Sequence, residues 1–361
     1  MKKALKRILI ALLAIVALVL AYLAYVLIDY HRIGDQTLPV SRANARQPAA
    51  GETYDIVSWN IGFGAYEADY GFFMDGGSQS RAWSKARLET NLDAIGARLL
   101  EQDADILLVQ EVDTDATRSY HLQEYETLQE ALRSGRAYDR VFAQNYDSPY
   151  LMYPILQPHG ASRSGLATFA DFAIDSAERV ELPIETGFTK FLDLDRCYSR
   201  SYIPTAEGQT LVLYNLHLSA YSSDGSIATE QLRLLLADMQ GEYEAGNYCI
   251  AGGDFNKDLL GNSETYFGAA DREYTWAQPI PPGVFDGCDI TLVAPLDEAA
   301  PVPSCRNADG PYHPGQYVLT VDGFLVSPKV LVEESEVIDY GFAWSDHNPV
   351  RMRFTLLAED E

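Results

Sequence analysis

Several short apolar runs along this 361-residue chain end in, or lead to, a polar side chain. YDIVSW is followed by Asn60, ADILLVQ by Glu111, and TLVLYN leads to His217. YCIAGG is followed by Asp254, with Asn256 two further on, and YVLTV by Asp322. Near the C-terminus, WSDHNPV (344–350) sets Asp346 beside His347. A buried strand needs no polar tip, and in α/β sheets ligands bind in the crevice beyond the carboxyl ends of strands. The residues from Asn60 to His347 are therefore expected to converge on one pocket. Glu111, Asn60, Asp254 and Asp346 offer hard oxygen donors, which favour Mg²⁺, with Mn²⁺ or Ca²⁺ as alternatives, over zinc. A hard cation, a histidine and several carboxylates suit phosphate-ester hydrolysis: the cation neutralises the phosphate while a base activates water.

The elements that must position these residues are legible as patterns. Strands are predicted at 54–59, 104–110, 164–170, 210–218, 248–253, 317–327 and 352–357 from their apolar runs. Leu88, Leu92, Ile95 and Leu99 mark one face of a helix within 81–102, and Leu232, Leu235, Leu236, Met239 and Tyr243 one face of a helix over 229–243. Strands this apolar are covered on both faces or packed against a second sheet. Residues 258–316 read as a long Pro-rich loop with short elements. The aromatic loop FGAYEADYGFF (63–73) suits a membrane surface, a stacked base, or the wall of a pocket or core. Of the four cysteines, none forms a CxxC pair, which argues against a thiolate zinc site. Cys288 and Cys305 are the one candidate local disulfide, and Cys249 reads as core.

The N-terminus carries Lys2, Lys3, Lys6 and Arg7, then 21 uncharged, mostly apolar residues from Ile8 to Ile28. That is enough to cross a hydrocarbon core as a helix, and longer than the apolar region of a cleaved signal peptide. The expected organisation is a cytoplasmic basic tail (1–7), a transmembrane signal anchor (8–28), a linker (29–52) and one catalytic domain (53–361). The positive-inside rule then makes this a single-pass cell-membrane protein with its catalytic domain outside the cytoplasm. With 27 Lys and Arg against 52 Asp and Glu, the net charge is −25. Such a surface argues against broad non-specific nucleic-acid binding but not against an anionic ester held by a divalent cation.

SWN, LVQEVD, NLHLS, GGDFN, VDGF and SDHNPV occur in this order. Together they resemble the endonuclease/exonuclease/phosphatase superfamily, the deoxyribonuclease I-like fold, over roughly residues 54–357. The resemblance implies a four-layer α/β sandwich, two packed mixed β-sheets flanked by helices. It also implies roles. Glu111 is the main metal ligand, with Asn60 in or near its shell and Asp346 assisting metal or phosphate binding. His217 donates to a phosphate oxygen, Asp254 aligns water or protonates the leaving group, and Asn256 holds Asp254 and the phosphate. Asp322 orients His347, which polarises water, or binds the phosphate if Asp254 is the base. Neighbouring extended residues face opposite ways, so Asp346 and His347 are expected to reach two sides of one site.

Arg163 and His159, in PHGASRSG, are candidate substrate contacts, and Arg196 a candidate phosphate contact or salt bridge. The expected substrate is a lipid headgroup or small phosphoester, with nucleic acid as the alternative; no protein partner is inferable. A catalytically silent surface-binding module predicts loss of a metal or base position, and every matched position is present.

Overall fold

The computed structural model describes residues 2–185, 187, 190, 194–220, 225–268 and 276–358. Helix α1 (Lys2–Asp29) stands apart from the core, with Val26 its one buried side chain among the described residues. It is long and apolar enough to cross a membrane. Two mixed sheets follow. One has six strands: β2 (Thr53–Asn60), β3 (Ile106–Ala116), β4 (Asp139–Leu151), β5 (Gly160–Ala170), β14 (Val330–Val337) and β15 (Val350–Leu356), in the order β14-β15-β2-β3-β5-β4. The other has seven: β1 (Gln36–Leu38), β6 (Ser176–Glu181), β7 (Cys197–Pro204), β8 (Thr210–His217), β9 (Tyr248–Asp254), β10 (Thr291–Val293) and β13 (Asp322–Val326), in the order β1-β6-β7-β8-β9-β13-β10. A two-stranded ribbon of β11 (Cys305–Arg306) and β12 (Val318–Leu319) lies beside them.

The sheets pack face to face through Ile56, Leu108, Leu166, Leu213, Ile250, Phe324 and Met352. Helix α2 (Lys85–Glu101) packs with α3 (Glu124–Leu132) on the outer face of the six-stranded sheet. Helix α4 (Ser226–Glu244) covers the outer face of the seven-stranded one. These are the four layers the motifs imply. Helix α2, within the expected 81–102, begins at the Ser84 cap, whose Oγ accepts from Arg87 N at 3.2 Å. Its face of Leu88, Leu92, Ile95 and Leu99 is fully buried, each side chain contributing about 1.5–3 kcal/mol.

Three expectations need correction. The linker expected over 29–52 is held against the domain: β1 pairs with β6, Ser41 exchanges backbone bonds with Arg140, and Arg46 reaches Asp105 and Asp171. Polar residues there find fixed partners on the domain. The strand expected over 317–327 breaks into β12 and β13, so Asp322 opens a strand instead of ending one. Because β13 runs antiparallel to β9 with Asp322 opposite Asp254, its N-terminal residue still reaches the same edge. Cys288 and Cys305 are free thiols, Cys288 beside α4 and Cys305 on β11. Strands β4, β6, β7 and β14 have no long apolar run. Two of them, β4 and β14, are sheet edges, where polar residues alternate with buried ones.

Candidate active site

The two sheets bring their site residues to one edge. Strand β8 runs parallel to β9 with His217 opposite Asp254, while β2 runs parallel to β3 with Asn60 opposite Gln110. Below this edge a buried polar bridge ties the sheets together, Gln110 Nε2 donating to Asn215 Oδ1 at 2.8 Å. Glu111 follows at a bulge in β3 with φ 56°, a left-handed conformation uncommon for a non-glycine residue. Such strain persists where the surrounding structure enforces it, often at functional sites. Gly253 has φ 152°, and a Cβ there would meet Leu216 O at 2.0 Å, so the approach of β8 to β9 beneath Asp254 requires glycine.

Asp254 Oδ2 is the centre of the arrangement. It accepts from Asn60 Nδ2 at 3.0 Å and lies 3.4 Å from His217 Nε2 and 3.8 Å from His347 Nε2. Its Oδ1 accepts from the Asn256 backbone N–H at 2.8 Å, and Asn256 is itself anchored through Nδ2 on Leu218 O. Asn60 Nδ2 also reaches Glu111 Oε1 at 3.3 Å. His347 Nδ1 meets Asp322 Oδ2 at 2.8 Å, and Ser304 Oγ donates to the same oxygen at 2.7 Å. Around the terminal turn, Ser345 Oγ donates to Asn60 O, Trp59 Nε1 donates to His347 O, and Asn348 Oδ1 accepts from Tyr340 N. The Ser, Asn and Trp of WSDHNPV and SWN thus fix the backbone that presents Asp346 and His347.

Asp346 and His347 diverge as their adjacency suggests. His347 turns to Asp322, while a Cβ on Gly62 would lie 3.2 Å from Asp346 Oδ1, on the Glu111 side. Electrostatics divide the groups. Burial pushes the Asp254 carboxyl up to about 7, and Asp322 adds to the rise that His347 opposes. Burial likewise raises Asp346 to about 6, with Glu111 contributing. Burial would lower His347, but the Asp322 carboxylate and its hydrogen bond hold the imidazole well above its usual range. Burial, then Arg196, push His217 well below it, so His217 is neutral.

Donor chemistry decides where a cation fits. Asp254, Asp322 and His347 place one donor each within 4.8 Å of one another. Asp322 Oδ2, however, already accepts from His347 and Ser304, so this trio is suited to holding a proton. Glu111, Asp346 and Asn60 bring oxygen atoms to the cavity, and Glu111 adds to the burial that raises the Asp346 carboxyl, a repulsion that a cation would relieve.

Asn60, Glu111, His217, Asp254, Asp346 and His347 line a cavity of about 440 Å³, with Asp322 behind His347. Its wall includes His159, buried with Nδ1 3.1 Å from Ser80 O, and Arg196, whose Nη1 donates to His217 O at 3.4 Å. Arg163 is not there. It is exposed on β5 and pairs with Asp147 at 3.6 Å, because strand alternation turns Ser162 and Ser164 inward and Arg163 outward. The aromatic loop forms both core and wall, with Phe63 and Tyr70 fully buried and Tyr66, Phe72 and Phe73 lining the cavity.

Arg118 is a cavity residue the sequence does not single out. It is buried, forms a bidentate pair with Asp113 at 3.0 and 2.8 Å, and stacks over Phe63 at 4.0 Å. Its Nη1 lies 3.9 Å from Glu111 Oε2. In TDATRSY it resembles a surface loop residue, and no spacing flags it. Cys305, expected only as a disulfide partner, is at the site: its Sγ lies 3.5 Å from His347 Nε2, and burial raises its thiol to about 12.

Comparison with known proteins agrees with this architecture. The model of the Endonuclease/Exonuclease/phosphatase family matches residues 57–347. No curated protein matches the chain in sequence. Among solved structures, an endonuclease/exonuclease/phosphatase from Beutenbergia cavernae is 16% identical with TM-score 0.57, covering 87% of this chain and 72% of its own. A family protein from Leptotrichia buccalis is 14% identical with TM-score 0.55, covering 84% and 100%. ANGEL2, a 2',3'-cyclic phosphatase, is 16% identical with TM-score 0.54, covering 89% and 99%. At these identities the likeness to solved structures shows a shared fold.

Proposed function

The chain belongs to the endonuclease/exonuclease/phosphatase family, and on that premise we propose a divalent-metal-dependent phosphoester hydrolase, tethered by α1 with its catalytic domain outside the cytoplasm. The carrying observation is the convergence of Asn60, His217 and His347 on Asp254 Oδ2, a buried carboxylate raised to about 7. A base poised near the working pH is suited to taking a proton from water. His347, held protonated by Asp322, presents Nε2–H to a phosphoryl oxygen, and neutral His217 steadies Asp254 through Nε2. Asn256 fixes Asp254 through its backbone N–H. Glu111, Asp346 and Asn60 would hold the cation, with Mg²⁺ favoured by their oxygen donors. When bound, it supplies neutralisation of phosphoryl charge. His159 and Arg196 line the substrate side.

A net charge of −25 disfavours tracking along a nucleic-acid backbone and supports a lipid headgroup or small phosphoester as substrate. The test is turnover by the full chain in detergent against plasmid DNA, choline phospholipids and phosphoinositides, with Mg²⁺ or with EDTA, beside Glu111→Gln. Metal-dependent turnover, lower by about 100-fold or more in the variant, is expected. Undiminished turnover in EDTA overturns the metal assignment, and DNA as preferred substrate overturns the substrate reading.

A further inference from the structure

At the end of β4 the chain enters an uncharged segment, YLMYPILQ (150–157). Ile155 is 83% exposed and Leu156 100%, with Met152 and Tyr153 more than half exposed. Contiguous exposed apolar groups of this kind mark an interaction surface. Two further observations identify what covers them.

The first is contact with α1. Tyr22 Oη donates to Tyr150 O at 3.2 Å and accepts from Met152 N at 3.1 Å, while Tyr25 Oη accepts from Tyr150 N at 2.9 Å. Tyr22 lies seven residues before Asp29, the end of α1, or about 10 Å along the axis at 1.5 Å per residue. The segment therefore meets α1 within its apolar span and not beyond it. If α1 crosses a bilayer, the segment lies at the depth where interfacial apolar groups bury, about 5–10 Å below the boundary. The second is continuity with the active site. Leu151 and Tyr153 line the catalytic cavity, and Phe73 packs on Tyr153 with ring centroids 5.7 Å apart. Met74, also partly exposed, continues the same wall.

We infer that the Met152–Leu156 loop inserts into the lipid surface beside α1 and opens the catalytic cavity onto the bilayer. The substrate is then a membrane amphiphile whose apolar part remains in lipid while its phosphoester enters the cavity, a consequence that rests on the proposed hydrolase function. The absence of basic residues in the loop and the acidic chain favour a zwitterionic membrane surface.

The test uses the full chain in phosphatidylcholine nanodiscs, with Leu156→Cys in a Cys288→Ser background carrying an environment-sensitive fluorophore. The same label at Leu234→Cys, exposed on α4, is the aqueous control. Lipid-borne quenchers are expected to quench the Leu156 label, and its iodide quenching to fall at least about threefold below the control. Equal iodide quenching at both sites overturns the insertion. In parallel, the double variant Ile155→Ser with Leu156→Ser is expected to lose about tenfold in turnover of bilayer phosphatidylcholine while retaining turnover of soluble bis(p-nitrophenyl) phosphate. Shielding from iodide with no lipid turnover overturns the substrate class and leaves the insertion standing. Lipid turnover with an iodide-accessible label and an undiminished double variant overturns the insertion and leaves the hydrolase function standing.

Discussion

Replacing Asp322 by Asn removes one charge from the middle of the candidate site while leaving its shape. Asp322 is buried, and its Oδ2 meets His347 Nδ1 at 2.8 Å and Ser304 Oγ at 2.7 Å. Asn is isosteric and can still accept from His347, so the fold should survive. What it loses is a charge-assisted bond worth about 1.5–3 kcal/mol. If that bond holds His347 protonated against a phosphoryl oxygen, kcat should fall by about 10–150-fold with a smaller change in KM. The sign of the pH effect discriminates further. An imidazolium acts below its pKa and is lost above it, so lowering that pKa should move the alkaline limb of the rate profile down by about 1–2 units. Removing the Asp322 charge also lowers Asp254, so the acidic limb moves to lower pH whichever group is the base, and the alkaline limb carries the test. The assay is kcat against pH for wild type and Asp322→Asn on one soluble phosphodiester at saturating Mg²⁺, with circular dichroism to check the fold. An unchanged kcat with both limbs in place refutes the coupling of Asp322 to His347 in catalysis.

Two further outcomes test the surroundings of the site. Arg118→Met leaves Asp113, fully buried, without its bidentate partner, and should destabilise the domain by about 3–5 kcal/mol in urea unfolding; a loss below about 1 kcal/mol would contradict the pairing. Burial, with Arg118 adding to it, lowers His159 to about 4 from an ordinary 6.5. Below pH 6.5 the unfolded chain takes up a proton that the folded chain refuses until about 4, so this stability is present above 6.5 and lost as the pH falls through that window. The loss is about 3 kcal/mol, and His159→Gln should flatten urea midpoints measured between pH 4 and 7; an unaltered slope would assign it elsewhere.

Much of the site could be read from the chain because its residues sit where apolar runs stop. Asn60, His217 and Asp254 end β2, β8 and β9, and a change from buried to polar at a strand end is local information. The same holds for α2 and α4, whose apolar faces repeat at helical spacing. Strands β4 and β14 escaped such reading because an edge strand needs no continuous apolar run. Arg163 was misdirected by the same limit: composition placed it near a phosphate, whereas the pleat of β5 turned it to solvent.

By itself, then, the sequence determined the apolar N-terminal helix, the ordered motifs, the acidic balance and the set of oxygen and imidazole groups available for chemistry. Only the tertiary structure decided which of those groups meet. The antiparallel register of β13 on β9 brings Asp322, at the start of its strand, level with Asp254, at the end of its own. The packing of the two sheets sets Asn60 against Asp254 across 194 positions, and chain folding places Arg118 beside Glu111. Tyr22 and Tyr25 of α1 likewise meet Tyr150 and Met152 at the end of β4, next to Leu151 and Tyr153 of the cavity wall. Such meetings depend on register, sheet packing and long-range loop closure, none of which leaves a periodic trace in the chain.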